Sequence, residues 1–152
     1  MTDQMAADLA AAPAVADRGP ESPRWVVTLD QVDNRTEHLM EENERWATMA
    51  RFRALLSQSR LRTERHIVFV LPANEWARYA RGGDGPTAAD DQRPLTPTHA
   101  LRATFLSDTT SSLAGRSDHY LCAFQLVDLR DNALVWEDAY EVRYIITRNR
   151  LD

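Results

Sequence analysis

The stretch that decides the fold runs from Tyr120 to Thr147 and reads YLCAFQLVDL, then RDNA, then LVWEDAYEVRYIIT. Apolar side chains recur at alternate positions: Tyr120, Cys122, Phe124 and Leu126 in the first part, then Trp136, Tyr140, Val142, Tyr144 and Ile146 in the last, where Asp138 is the one interruption. A period of two is typical of β-strands with one buried face. The intervening Arg130–Ala133 predicts a turn, where Asn132 tolerates a left-handed backbone. The stretch therefore predicts an antiparallel hairpin.

Three further strands are predicted upstream of the hairpin. Ala100–Ser107 alternates in the same way and is followed by a Ser/Thr/Gly loop. Trp25–Leu29 and His66–Leu71 are near-continuous apolar runs, which are typical of buried strands, and we expect the second to be interior. The first run ends in a polar turn over Asp30–Thr36.

A long amphipathic helix is predicted between the first two strands. Its apolar residues recur at intervals of three, four and seven: Leu39, Trp46, Met49, Phe52, Leu55 and Leu56. Thr36 is the predicted N-cap, and Glu37, Glu41 and Glu42 load the first turns with the charge that a helix dipole favours. Residues 73–80 predict a short second helix, and residues 81–97 a long loop rich in glycine and proline.

This order of elements predicts an α/β (α+β) fold. We expect a small mixed sheet of about five strands, flanked by helices and completed by the C-terminal hairpin. A helical crossover makes the first two strands parallel. Residues 1–23, rich in Ala, Pro, Asp and Gly, predict a flexible N-terminal tail or linker, and residues 24–152 a single domain.

Composition excludes several classes of function. The chain has 152 residues, 43% hydrophobic, with a net charge of −5 and a pI near 5.4, which argues against nucleic-acid binding. All 18 basic residues are arginine, so the chain has no lysine for a Walker phosphate-binding loop or for Schiff-base chemistry. A single cysteine, Cys122, forms no internal disulfide. From the sequence alone we predict no signal peptide, no lipid-anchor cysteine and no transmembrane segment.

The candidates for catalysis or metal binding are weak. Ser117–His119 resembles a triad by composition only, because neighbours on a strand point apart. The four histidines lack metal-ligand spacing: His38, His66, His99 and His119. We interpret Asp30, Asp33, Asp90 and Asp91 as solvated turn residues, Gly82–Gly85 as a loop, and Cys122 as a buried thiol. We therefore predict no catalytic, metal or cofactor-binding residue and no cofactor.

Two groups of motifs together resemble a known family. They are Val27–Thr36 in the first strand and turn, and the ordered set Leu101–Ser107, Tyr120–Leu129 and Leu134–Glu141. Over about residues 25–146 this layout resembles the LpoB family of penicillin-binding-protein activators, whose domain is related to the curli secretion protein CsgG. The hairpin turn departs from the usual Thr-Gly of the family and reads Asp131-Asn132 here.

The resemblance implies a function as well as a fold. Members of the family are non-enzymatic outer-membrane lipoproteins of the periplasm that dock on a class A penicillin-binding protein and stimulate peptidoglycan synthesis. The motif positions that carry over are Asn34, Arg35, Thr36, Asp128, Leu134, Val135 and Trp136. We expect them to build the fold, with Asn34 and Thr36 satisfying backbone groups where the helix begins and Trp136 filling the core.

Two alternative functions stay open from the sequence. One is a CsgG-like structural or secretion subunit that self-associates through the sheet edge or the long helix. The other is a small hydrolase or ligand-binding protein that uses a cleft beneath residues 81–97, with Asp84, Asp90 and Asp91 as its acids.

Overall fold

The computed structural model describes residues 2–36, 42–72, 95–112 and 115–147. In these ranges the chain forms four helices and five strands. The helices are α1 (Thr2–Ala11), α2 (Pro13–Ala16), α3 (Glu42–Gln58) and α4 (Arg60–Arg65). The strands are β1 (Trp25–Arg35), β2 (Ile67–Val70), β3 (His99–Ser112), β4 (Gly115–Asp128) and β5 (Leu134–Thr147).

The described strands form one mixed sheet in the order β2-β1-β3-β4-β5. Strand β1 is parallel to both β2 and β3, whereas β3, β4 and β5 follow one another as antiparallel neighbours. The predicted fold class, the parallel first pair and the C-terminal hairpin are thereby confirmed.

The core lies between the helices and one face of the sheet. Phe124 of β4 is at its centre, with ring centroids 5.6 Å from Phe52 of α3, 6.4 Å from Phe105 of β3 and 6.0 Å from Tyr140 of β5. These contacts join three strands to the long helix. Burial of such large apolar side chains is the main favourable contribution to folding.

The prediction of a flexible tail over residues 1–23 is wrong, because this segment forms α1 and α2. Met5, Leu9 and Val15 are fully buried in the same core cluster as the sheet residues. Met5 and Leu9 are four residues apart, which places them on one side of α1, and Val15 lies in α2. Pro13 does not break the structure, since it occupies the first turn of α2, where a missing N–H costs nothing.

Polar contacts tie this N-terminal segment to the rest of the chain. The Tyr140 hydroxyl on β5 donates a 2.8 Å hydrogen bond to the Asp8 carboxylate on α1. After α2, the Arg65 guanidinium donates to the carbonyl oxygens of Ala16 and Arg18, at 2.8 and 2.7 Å. Arg18 in turn donates to the Arg65 carbonyl at 3.2 Å. These hydrogen bonds therefore attach the segment between α2 and β1 to the last residue of α4.

The predicted polar turn over Asp30–Thr36 is also wrong, because β1 continues to Arg35. A bulge between Leu29 and Gln31 lets the strand resume its pairing with β3, so that Asn34 lies opposite Phe105. The neighbouring strand supplies the hydrogen-bonding partners that keep polar residues in an extended conformation.

Strands β3 and β4 are also longer than predicted. The residues predicted as a Ser/Thr/Gly loop extend β3 and β4, which pair as far as Ser112 opposite Gly115. Strand β2, predicted as interior, has β1 as its one neighbour among the described strands. The predicted short helix and most of the predicted 81–97 loop lie outside the described residues.

Two predicted elements agree closely with the structure. Helix α3 covers the described part of the predicted amphipathic helix, with Met49 and Leu56 buried and Leu55 exposed. Strand β5 has the predicted limits, and Asn132 in the preceding turn has a positive φ of 58°. Residues 37–41, including the predicted helix start, lie outside the described residues.

Candidate functional site

The first sequence motif forms a local turn at the end of β1. The Asn34 side-chain oxygen accepts hydrogen bonds from the Thr36 amide at 3.2 Å and from the Thr36 hydroxyl at 2.7 Å. Arg35 is exposed and its Nε lies 2.7 Å from an Asp33 carboxylate oxygen. Asn34 thus stabilises the backbone immediately after the strand, as asparagine does in Asx turns.

The second motif surrounds the turn between β4 and β5. The Asp128 carboxylate accepts hydrogen bonds from the Arg130 amide at 2.8 Å, from Nη2 at 2.7 Å and from Nε at 3.2 Å. These hydrogen bonds to Arg130 lower the pKa of Asp128 to about 2. The Asp131 carboxylate accepts from the Ala133 amide at 2.9 Å, and Asp128 N–H donates to the Ala133 carbonyl at 2.9 Å. The side chains of Asp128 and Asp131 therefore hold the backbone of the turn through hydrogen bonds to two of its amides.

The three motif residues that begin β5 have different surroundings. Trp136 is buried in the core cluster and pairs in register with Leu126. Val135 lies at the bulge of the ladder and packs against the core. Leu134 is 50% exposed. Trp136 therefore fills the core as predicted, whereas Leu134 does not contribute to it.

The structure does not bring the two motifs together. Asn34 pairs with Phe105 of β3, whereas Asp128 pairs with His99 of the same strand. At about 3.3 Å per residue, this difference in position corresponds to roughly 20 Å along the sheet. The motifs are thus two separate structural features and not one constellation.

An aromatic stack beneath the β4–β5 turn was missed by the sequence reasoning. His99 is buried, and the centroid of its ring lies 4.0 Å from that of the Trp25 ring. The Arg18 guanidinium also contacts Trp25, with its central carbon 4.0 Å from the centroid of the Trp25 ring. His99 Nδ1 is 2.8 Å from the Thr98 hydroxyl. Burial lowers the pKa of His99, while the nearby Asp128 carboxylate opposes this shift. The stack joins β1 to β3, and no local sequence pattern reveals it.

The weak catalytic candidates remain scattered. Ser117, Asp118 and His119 are consecutive on β4, so the side chains of Ser117 and His119 lie on the opposite face from Asp118. Among the described residues no three His, Cys, Asp or Glu side chains form a group suited to a metal. Cys122 is buried in β4, and burial raises the pKa of its thiol.

Other sequence candidates lie outside the part that the structure describes. These are His38, Gly82–Gly85, Asp84, Asp90 and Asp91. In the described ranges, no helix is both long and apolar enough to cross a membrane.

The fold is similar to those of solved bacterial proteins. The structure resembles the LpoB C-terminal domain from Salmonella enterica, with a TM-score of 0.54 and 14% identity over 93% of this chain and 94% of that one. The LpoB C-terminal domain from Escherichia coli gives a TM-score of 0.53 and 15% identity with the same coverage. Lipoprotein GNA1162 from Neisseria meningitidis gives 0.50 and 15%, over 81% and 84%. These similarities establish the fold.

The sequence then assigns the family. The family model described as "Peptidoglycan-synthase activator LpoB" matches residues 1–142. The chain belongs to this LpoB family. The match begins in the segment of α1 and α2, in agreement with their burial in the core. No curated protein matches the sequence.

Proposed function

We propose that this chain binds a class A penicillin-binding protein and stimulates its glycan polymerisation and cross-linking without catalysing either reaction itself. The single observation that carries the proposal is the match of the synthase-activator family over residues 1–142. Class A synthases work outside the cytoplasmic membrane, so the proposed location is the periplasm, as for the lipoproteins of this family.

The contacts of the motif residues support a structural role for most of them. Asn34 accepts a hydrogen bond from the Thr36 hydroxyl, and Asp128 accepts one from the Arg130 guanidinium in the turn. Trp136 packs in the core. These groups are engaged within the chain and are not arranged around a common space. We therefore propose that the motifs maintain the shape of the domain, while binding uses surface side chains.

Activation by a non-catalytic protein has a simple energetic basis. A ligand shifts a conformational equilibrium only by the ratio of its affinities for the two states. A tenfold increase in the ratio of active to inactive synthase therefore requires about tenfold tighter binding to the active state, or about 1.4 kcal/mol. A modest interface on a rigid domain is sufficient for that difference.

The test is binding of the purified full chain to the purified class A penicillin-binding protein of the same organism. Calorimetry gives the affinity, and light scattering gives the masses of the free chain and of the complex. We expect micromolar or tighter binding at a one-to-one ratio. A folded chain that shows no binding would refute the proposal, and a free chain that forms a ring would favour the CsgG-like alternative.

A further inference from the structure

One aromatic and two titratable side chains lie together where the core face of the sheet ends. Trp25, His99 and Asp128 each stand two residues from a core position of their own strand, so they share the core face. His99 is 4% exposed and is the register partner of Asp128. A ring that titrates near neutral pH is thus held inside the fold, next to groups of fixed charge.

The hydrogen bond of the His99 ring depends on the charge of the ring. Nδ1 lies 2.8 Å from the Thr98 hydroxyl, whose oxygen accepts from the Val26 amide at 3.0 Å. A neutral ring without a hydrogen on Nδ1 accepts the hydroxyl hydrogen of Thr98. A charged ring carries a hydrogen on Nδ1, so the hydroxyl must turn to the Val26 carbonyl, 3.4 Å away. Because that distance is long for an O–H donor, these contacts favour the neutral ring.

The charges around the ring also favour its neutral form. Among the described residues, the charged groups that act on His99 are Arg18, Asp128 and Arg130. The Arg18 guanidinium contacts the same Trp25 ring, so it lies within about 8 Å of the imidazole and repels a positive charge there. Asp128 attracts such a charge, but Arg130 already donates to its carboxylate at 2.7 Å. Burial and the two arginines therefore lower the pKa of His99 in spite of Asp128.

Arg18 connects this cluster to the attachment of the N-terminal segment. Besides its contact with the aromatic ring, it donates to the carbonyl oxygens of Arg65 and Pro23. Arg65 donates in return to the Arg18 carbonyl at 2.7 Å. A charge on His99 that repels the Arg18 guanidinium therefore acts on the contacts that hold residues 17–24 in place.

We propose that His99 is a pH-sensitive switch, whose protonation in acidic surroundings loosens residues 17–24, through Arg18, from the end of α4. The closed state keeps Arg18 on Trp25 and His99 neutral, whereas in the opened state Arg18 moves away and the ring takes up a proton. Protonation and opening favour each other by the same factor, because the two equilibria are linked. This inference goes beyond the proposed function and concerns the free chain.

The direction of the pH effect follows from the lowered pKa of His99. Above about pH 6.5, the ordinary histidine pKa, the ring is neutral in both states and the attachment has its full strength. As the pH falls towards the lowered pKa of the closed state, the opened state binds the proton more readily and gains population. Asp128 stays ionised over this range, since its pKa is about 2.

Hydrogen exchange of the full chain at about pH 7.5 and about pH 5.0, corrected for intrinsic exchange rates, tests the switch. The amides of Arg18, Ser22 and Trp25 report the opening, since each donates to a backbone carbonyl. In the wild-type chain we expect the opened fraction to rise at least about threefold at the lower pH. In His99→Gln, whose side chain takes no proton, we expect a rise of less than about 1.5-fold. The matched control is His119→Gln, which removes a histidine of β4 outside this cluster and is expected to behave like wild type.

The outcomes decide the inference in either direction. An opened fraction that does not change with pH in the wild-type chain overturns it. A change that persists in His99→Gln, or one that is lost equally in His119→Gln, also overturns it. If His99→Gln does not fold, Arg18→Gln replaces it, and the pKa of His99 is measured by NMR titration in this variant and in wild type. Removal of the nearby positive charge is expected to raise that pKa, and equal values in the two chains would overturn the inference.

Discussion

Replacement of Leu9 by alanine tests whether the N-terminal segment belongs to the folded unit. Leu9 on α1 is 0% exposed and lies in the core cluster with Met5 and Val15. Alanine removes apolar contacts and leaves a cavity, and such changes at fully buried leucines cost about 2–5 kcal/mol. We expect a loss of about 3 kcal/mol in the free energy of unfolding. A flexible tail would give a change near zero.

Urea unfolding followed by tryptophan fluorescence and circular dichroism measures this loss. With a slope of about 2 kcal/mol per molar urea, the midpoint falls by about 1.5 M. The control is Gln4→Ala, which changes an exposed residue of the same helix and is expected to alter stability by less than about 0.5 kcal/mol. Equal midpoints for the two variants would refute the packing of α1 into the core.

Three further predictions concern individual polar groups. Tyr140→Phe should lower the free energy of unfolding by about 1 kcal/mol in urea melts, because it removes the hydrogen bond to Asp8; no loss would contradict that bond. Asp128→Asn should be less stable than wild type at pH 7, and the difference should shrink as pH falls from about 4 towards about 2, since the carboxylate stabilises the fold while ionised and its pKa is lowered from 3.8 to about 2. A difference that does not change over that pH range would argue against the bonds from Arg130. Cys122 should react with a thiol reagent far more slowly in the native chain than in urea, because it is buried and its pKa is raised; equal rates would contradict its burial.

The hairpin and the long helix were predictable because their signal is local. Alternation over Leu134–Thr147 gives strand limits directly, and a helical period identifies α3. Asn132 marks the turn because few other residues adopt its backbone conformation without strain. In these segments the side-chain pattern itself defines the buried face.

The N-terminal helices were not predictable in the same way. An alanine-rich segment with Asp8 and Pro13 has few large apolar residues, and short helices are stable mainly through tertiary packing. Met5 and Leu9 are buried because α3 and the sheet provide a surface for them. That surface is assembled from distant parts of the chain, so the local sequence does not reveal it.

The extension of β1 has a similar cause. Asp30–Arg35 have low intrinsic preference for strands, but β3 offers a continuous ladder beyond the bulge. At the candidate site, Asn34 and Asp128 were expected to build the fold because the family resemblance carried them over as motif positions. Their hydrogen bonds to Thr36 and to Arg130 became visible only in the structure. The stack of Trp25 and His99 joins two strands that are far apart in sequence, and it required the structure.

The central claim is that this chain activates a peptidoglycan synthase. Its most direct test is the rate of glycan polymerisation by the purified class A penicillin-binding protein, measured while the full chain is titrated in. We predict a rate that rises and saturates at the concentration where binding saturates, with no polymerisation by the chain alone. A rate that stays constant while the folded chain is bound would contradict the account.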